Sequence, residues 1–332
     1  MNHANTRLRA MHPKVLLDSN IWRYVVDARE QGRLIHAARH SSTRVQVAPA
    51  IVFEALRLRD ISLRNQLIAL MTNRAFDRMM PEAFSEIMEI LAEIGRLRPQ
   101  WLRKEPDTAF FDRSRKDWSR KTGGFWVRCA DTPDLEAGYI AQSEGSTLKR
   151  AGEEIKNARK EMIEARWKAN PPLDEIRAGL HYPLEGWNGE LVEAWRLESL
   201  NGLTYALSRP GHPYRDWLSP FLELDTGLLK SAGWVEFWMH AADVKAVPRQ
   251  WIRWGHAFAQ RFRKVTAGSG GDNQLFSYLL DTDMVITADK GFVDILEACR
   301  PFSPCGLPVG RLVPGGHHGV EAMLGALEEI NR

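Results

Sequence analysis

Four carboxylates in this chain stand where a side chain turns toward a ligand and away from a core. Lys14 to Trp22 reads KVLLDSNIW. Val15, Leu16 and Leu17 form an apolar run too short for a helix, which suits a strand buried on both faces of a parallel sheet. Asp18 comes directly after, at the carboxyl end where open α/β sheets place their ligand crevice. Near the other end, Met284 to Phe292 reads MVITADKGF: a second β-rich run (Val285, Ile286, Thr287) delivers Asp289 to the same edge. In GSGGDNQLFSYLL, Asp272 opens a helix whose apolar side is Leu275, Phe276, Leu279 and Leu280. In VQVAPAIVFEALRLRD, Val45 and Val47 mark a strand, Pro49 suits a first helical turn, and Glu54 lies about one turn inside that helix.

Two acids at strand ends and two in early helical turns can converge on one cleft. Close carboxylates raise one another's pKa unless cations neutralise them, so one or two hard divalent ions, Mg²⁺ or Mn²⁺, are the expected occupants. Such ions activate water and clamp the oxygens of an in-line displacement, so no Ser, Cys or His nucleophile is needed. The chain carries no GxSxG or HExxH motif.

These segments resemble PIN-domain nucleases. The family pattern is an aspartate after the first strand, a glutamate in the helix after the second, an aspartate opening a late helix, and a final aspartate after a later strand in a Thr-x-Asp-x-x-Phe-like context. Asp18, Glu54, Asp272 and Asp289 match it, with Ser19 or Asn20 and Thr287 as polar companions. The resemblance covers roughly 12 to 75 and 250 to 315; the long separation of Glu54 from Asp272 departs from a compact member. It implies a cytoplasmic, metal-dependent endoribonuclease for single-stranded or structured RNA, leaving 5′-phosphate and 3′-hydroxyl ends. It also implies a bacterial toxin or phage-defence setting, in which a protein inhibitor (antitoxin) and a homodimer become possible partners. A haloacid-dehalogenase-like phosphatase fits less well, because its second aspartate falls at Asn20. The alternative of another class is a catalytically silent PIN-like protein that binds nucleic acid or scaffolds through its middle segment.

The 332 residues exceed one domain of ~100–200 residues, so a core with a large insertion is expected. We read residues 1–13 as a disordered arm, 14–98 and 250–332 as two parts of an α/β PIN-like core with a parallel sheet flanked by helices, and 99–249 as a mostly helical insertion. Helices are expected over SLRNQLIALMTNRAF, over PEAFSEIMEILAEIGRLR, from 146 to 168 with Asn170, Pro171 and Pro172 as its stop, from Pro248 to Val265, and from Val320 to Ile330, with an edge strand near Val309 to Val313.

Charge +3 and pI about 8.7 permit nucleic acid without demanding it. Residues 96 to 128 interleave Arg103, Lys104, Arg113, Arg115, Lys116, Arg120 and Lys121 with Trp101, Phe110, Phe111, Trp118 and Trp126, a pattern that can grip phosphates and stack bases. A solvated surface whose aromatics anchor the segment is the competing reading, as it is for the Trp234/Trp238 and Trp251/Trp254 pairs. Asp281 and Asp283 are explained by a turn, and His317 and His318 by a Gly-rich loop with no metal role. Cys129, Cys299 and Cys305 form no CxxC pair, so neither disulfide framework nor structural zinc is expected. No signal peptide or apolar run of ~18 residues stands out, and no membrane association is expected.

Overall fold

The computed structural model describes residues 12–166, 190–263 and 269–330. Most of the expected arm, the Asn170-Pro171-Pro172 stop and Lys264–Val265 lie outside them.

Five strands form one parallel sheet in the order β3-β2-β1-β4-β5: β1 Lys14–Leu17, β2 Arg44–Val47, β3 Asp77–Arg78, β4 Met284–Thr287 and β5 Val309–Leu312. The central strands are the apolar ones. Val15, Leu16 and Leu17 are fully buried, as are Val285 and Ile286, which fits strands covered on both faces. β5 is an edge, with Val309 and Leu312 exposed. Strands β1 and β4 pair Leu16 with Val285 and Leu17 with Ile286, and the Asp18 amide continues the ladder to the Ile286 carbonyl at 3.0 Å. That register puts Asp18 and Thr287 at the same level of the sheet edge.

Helix α1, Ser19–Asp27, buries Ile21, Trp22, Val25 and Val26 against the sheet. Trp22 Nε1 donates to the Leu17 carbonyl at 3.0 Å, and its ring meets Phe76 edge-on. The last carbonyl before Asp18 is thereby satisfied and fixed. After α2, Gln31–His40, α3 runs Pro49–Leu56 with Pro49 in its first turn. α4, Ile61–Met71, stops five residues short of the expected Phe76, where the Asn73 side chain accepts from the Ala75 amide in a turn, and α5, Glu82–Leu97, comes next at its expected place.

The middle segment contributes α6, Thr108–Ser119, α7, Phe125–Asp131, and α8, Pro133–Glu164. α8 begins thirteen residues before the expected 146, with Pro133 in its first turn. Further helices span Leu191–Ser208, Pro213–Leu218, Pro248–Gln260, Ser269–Ser277, Lys290–Cys299 and Gly316–Glu329. Trp195, Trp234 and Trp238 are fully buried and belong to the same apolar cluster as β1 and β4. No helix among the described residues is long and apolar enough to cross a membrane.

The Pro248–Gln260 helix is bound to α5 by ion pairs that sequence patterning does not anticipate. Glu86, fully buried on the apolar face of α5, sits 2.8 Å from Arg253, and Arg249 bridges Glu89 and Asp281 at 2.9 and 2.7 Å. Burial raises Glu89 to about 7 even beside Arg249. Asp283, the other acid of the DTD turn, accepts from the Lys14 amide at 2.8 Å. Arg253→Ala is expected to cost about 3–5 kcal/mol in denaturant unfolding by stranding the buried Glu86, and adding Glu86→Met should recover most of the loss. A double variant no better than the single one would contradict this.

Candidate functional site

The strand order reverses between β1 and β4, where an open sheet forms its crevice. Asp18 and Asp289 flank that point, each as the N-cap of the helix after its strand. The cap role uses part of each carboxylate and leaves room for a second role.

Asp18, 4% exposed, is held by three donors: the Ser19 amide at 2.6 Å on Oδ1, and Asn20 Nδ2 at 2.7 Å and Thr287 Oγ1 at 2.6 Å on Oδ2. Asn20 Oδ1 accepts from the Ala288 amide at 3.2 Å, and Thr287 Oγ1 accepts from the Asp289 amide at 2.9 Å. Asn20 and Thr287 thus tie the end of β1 to the end of β4, and Ser19 holds Asp18 locally. Ser19 also hydrogen-bonds Glu54 through its side chain. Asp289 uses Oδ1 to cap the Gly291 and Phe292 amides at 2.6 and 3.2 Å, leaving Oδ2 outside the cap.

Glu54 reaches the crevice from α3, and Asp272 from the first turn of the Ser269–Ser277 helix. A Cβ at Gly271 would stand 3.5 Å from Glu54 Oε2, so the start of that helix lies against Glu54. The structure brings the four sequence-predicted acids into one electrostatic unit. Burial is the main cause that raises Asp18, opposed by its hydrogen bonds and reinforced by Asp289. Glu54 is raised by burial and by Asp18. Asp272 is pushed up to about 8 by burial and then by Asp18, Asp289 and Glu54. Among the described residues, no donor hydrogen-bonds Asp272. A half-buried carboxyl facing three others, with no donor, can hold a proton or a cation; oxygen donors of this kind suit a hard divalent ion.

Among the described residues, one trio of ligand atoms falls within 4.8 Å of one another: Glu30, His317 and Glu321. No three of the four motif acids bring ligand atoms that close together. In the trio, Arg33 forks onto Glu321 and reaches Glu30 at 3.6 Å, so those charges are already compensated. His317 and His318 begin the last helix and do not approach the crevice acids through any hydrogen bond or ion pair.

The basic segment divides. Phe111 packs on Phe84, Trp217 and Phe221; Trp118 packs on Phe53 and Phe125; Trp101 packs on Trp234 and Phe237; Trp126 is buried. These aromatics anchor the segment to the core, and Phe110 alone of the five expected stackers is exposed, at 38%. Arg103 donates to the Ser219 carbonyl, Arg115 pairs with Asp112, and Arg120 pairs with Asp117. Lys104, Arg113, Lys116 and Lys121 are exposed with no ion-pair partner among the described residues. Arg263 is a cation brought to the Asp289 side, donating to the Gly291 carbonyl at 3.4 Å; nothing in its local sequence signals that placement.

Compared with family patterns, curated proteins and solved structures, the chain matches none. Its class is therefore stated from its own geometry: an α/β chain with a five-stranded parallel sheet and an acidic crevice at the reversal of strand order.

Asp272 gives the crevice a measurable pH dependence. Its carboxyl stands near 8 when folded against an ordinary 3.8, so between those values only the folded chain holds the proton. Metal-free stability should fall as pH rises from about 4 to 8. Thermal unfolding in EDTA at pH 6 and pH 8 should show a smaller difference for Asp272→Asn than for wild type, with the variant the more stable at pH 8 by on the order of 1 kcal/mol. Identical pH profiles would contradict the placement of Asp272.

Proposed function

We propose that the chain is a PIN-like, Mg²⁺- or Mn²⁺-dependent endoribonuclease that hydrolyses phosphodiester bonds of single-stranded or structured RNA. The observation that carries the reading is Asp272: a half-buried carboxyl without a donor, facing Asp18, Glu54 and Asp289 across the strand-order reversal. A structural role explains Asp18 and Asp289 as caps, but it leaves Asp272 as an uncompensated cost. A cation-binding role removes that cost.

In this reading Asp18, Glu54, Asp272 and Asp289 hold one or two hard cations. Such a cation supplies a water of lowered pKa and compensates charge on the phosphodiester. The chain's own residues set the geometry around it. Thr287, Asn20 and Ser19 orient the Asp18 carboxylate, as supporting hydrogen bonds do for ligating carboxylates in general. Ser19 joins Glu54 to the same network. Arg263, ion-paired with Asp294 at 3.7 Å, adds a weaker positive influence on Asp289.

The second reading, a catalytically silent nucleic-acid-binding or scaffolding protein, draws on the four exposed cations of the α6 region that have no partner among the described residues. Toxin or phage-defence activity, an inhibitor partner and a homodimer remain parts of the proposal that rest on the family resemblance alone.

Cleavage of total cellular RNA and of a labelled single-stranded DNA, with Mg²⁺ or Mn²⁺ against EDTA, separates the readings. Wild type should cut RNA in a metal-dependent way, and Asp272→Asn should lose about 10²-fold or more of that rate while remaining folded, because no hydrogen bond is broken. Equal inertness of wild type and variant with every metal would favour the silent protein.

A further inference from the structure

One turn beyond Glu54, α3 ends at a groove of about 340 Å³. Arg57, Arg59 and Arg64 line one wall, and Asp134, Ala137 and Gly138 of α8 line the other. The volume lies at the low end of the ~300–1,000 Å³ usual for small-ligand clefts. Its lining carries three arginines and one carboxylate, Asp134. Arg64 is paired with Asp134 and donates to the Leu58 carbonyl at 2.9 Å, so it closes the far wall. Arg59 is exposed and has no ion-pair partner among the described residues. Arg57 caps the C-terminus of α3 and acts electrostatically on Glu54. A positive groove therefore adjoins the negative crevice, separated by one helical turn, ~5 Å of rise.

That alternation fits a ligand that carries anionic groups at short, regular intervals. A nucleic-acid strand carries one negative charge per nucleotide, so a phosphodiester held through cations at the crevice leaves its neighbours within reach of the groove. The α6 region forms the rival surface; Arg113 and Lys116 stand on a helix that contributes no buried residue.

We propose that the Arg57/Arg59 groove is an anion subsite that takes a phosphate of the substrate strand next to the phosphodiester held at the carboxylates. The proposal rests on the nuclease reading and extends it to a direction for the strand, from Glu54 along the end of α3 and over α8.

The test is fluorescence anisotropy of a labelled 12-nucleotide single-stranded RNA with the full chain, in Ca²⁺ as the hard cation and again in EDTA, across a KCl series. Arg59→Gln and Arg57→Gln/Arg59→Gln are compared with Arg113→Gln/Lys116→Gln on α6. Each groove arginine that contacts phosphate should reduce the slope of log K against log salt by ~0.7 when removed. The α6 pair should leave the slope unchanged, and inorganic phosphate should compete only at far higher concentration than unlabelled RNA. Wild-type slope and affinity in Arg59→Gln and the double variant would overturn the subsite, as would a slope change confined to the α6 pair. Competition by inorganic phosphate as effective as RNA would show a free-phosphate site and overturn the strand assignment. Because Arg59 is exposed, its variant stays informative should Arg57→Gln fail to fold. Metal-dependent cutting with unchanged slopes sinks the subsite alone; arginine-dependent slopes without metal-dependent cutting sink the nuclease and leave the subsite as a binding groove.

Discussion

Repulsion among carboxylates at the reversal of the sheet is the constraint on which the rest of the structure depends. Asp18, Glu54, Asp272 and Asp289 come from four separate segments, and each segment is fixed by apolar burial before its acid emerges. The Leu16–Val285 and Leu17–Ile286 register leaves no slack at the strand ends. Thr287 and Asn20 then lock Asp18 to the neighbouring strand, so the acids cannot relax by moving apart at the sheet. Asp272 shows the result: burial, and after it the charges of Asp18, Asp289 and Glu54, push its carboxyl up to about 8.

The middle segment supports that arrangement more than it decorates it. Its tryptophans fill the space between α5 and the Leu191–Ser208 and Pro248–Gln260 helices, where Trp195, Trp234 and Trp238 are buried together. The Pro248–Gln260 helix is then pinned to α5 through Arg249 and Arg253, and it leads toward the helix that bears Asp272. Gln274, two residues past Asp272, donates to Glu82 at 3.2 Å, and Tyr278 donates to Glu82 at 3.0 Å. Packing in the middle of the chain thus reaches the crevice through α5.

The two acid-bearing strands were legible because a buried parallel strand is a short apolar run, and the residue just past its carboxyl end must turn at the ligand edge. Pro49 marked the start of α3 for the same reason that it fits there: its missing amide is one the first turn leaves unpaired anyway. β3 was not legible, since two residues, Asp77 and Arg78, join the sheet through backbone pairing alone. Glu86 on the inner face of α5 also escapes pattern reading, because its partner Arg253 lies 167 residues away. The cation–aromatic alternation of 96 to 128 suggests base stacking; most of its rings instead pack onto Phe53, Phe84, Trp217 and Trp234 from elements elsewhere in the chain.

The central claim is that the four carboxylates form a hard-cation site. Calorimetric titration of Mn²⁺ into wild type and Asp272→Asn at pH 7.5 tests it most directly. The account predicts saturable binding by wild type, with protons released as Asp272 ionises, and at least a tenfold weaker response in the variant. Equal binding by the two proteins, or none by a folded wild type, would contradict it.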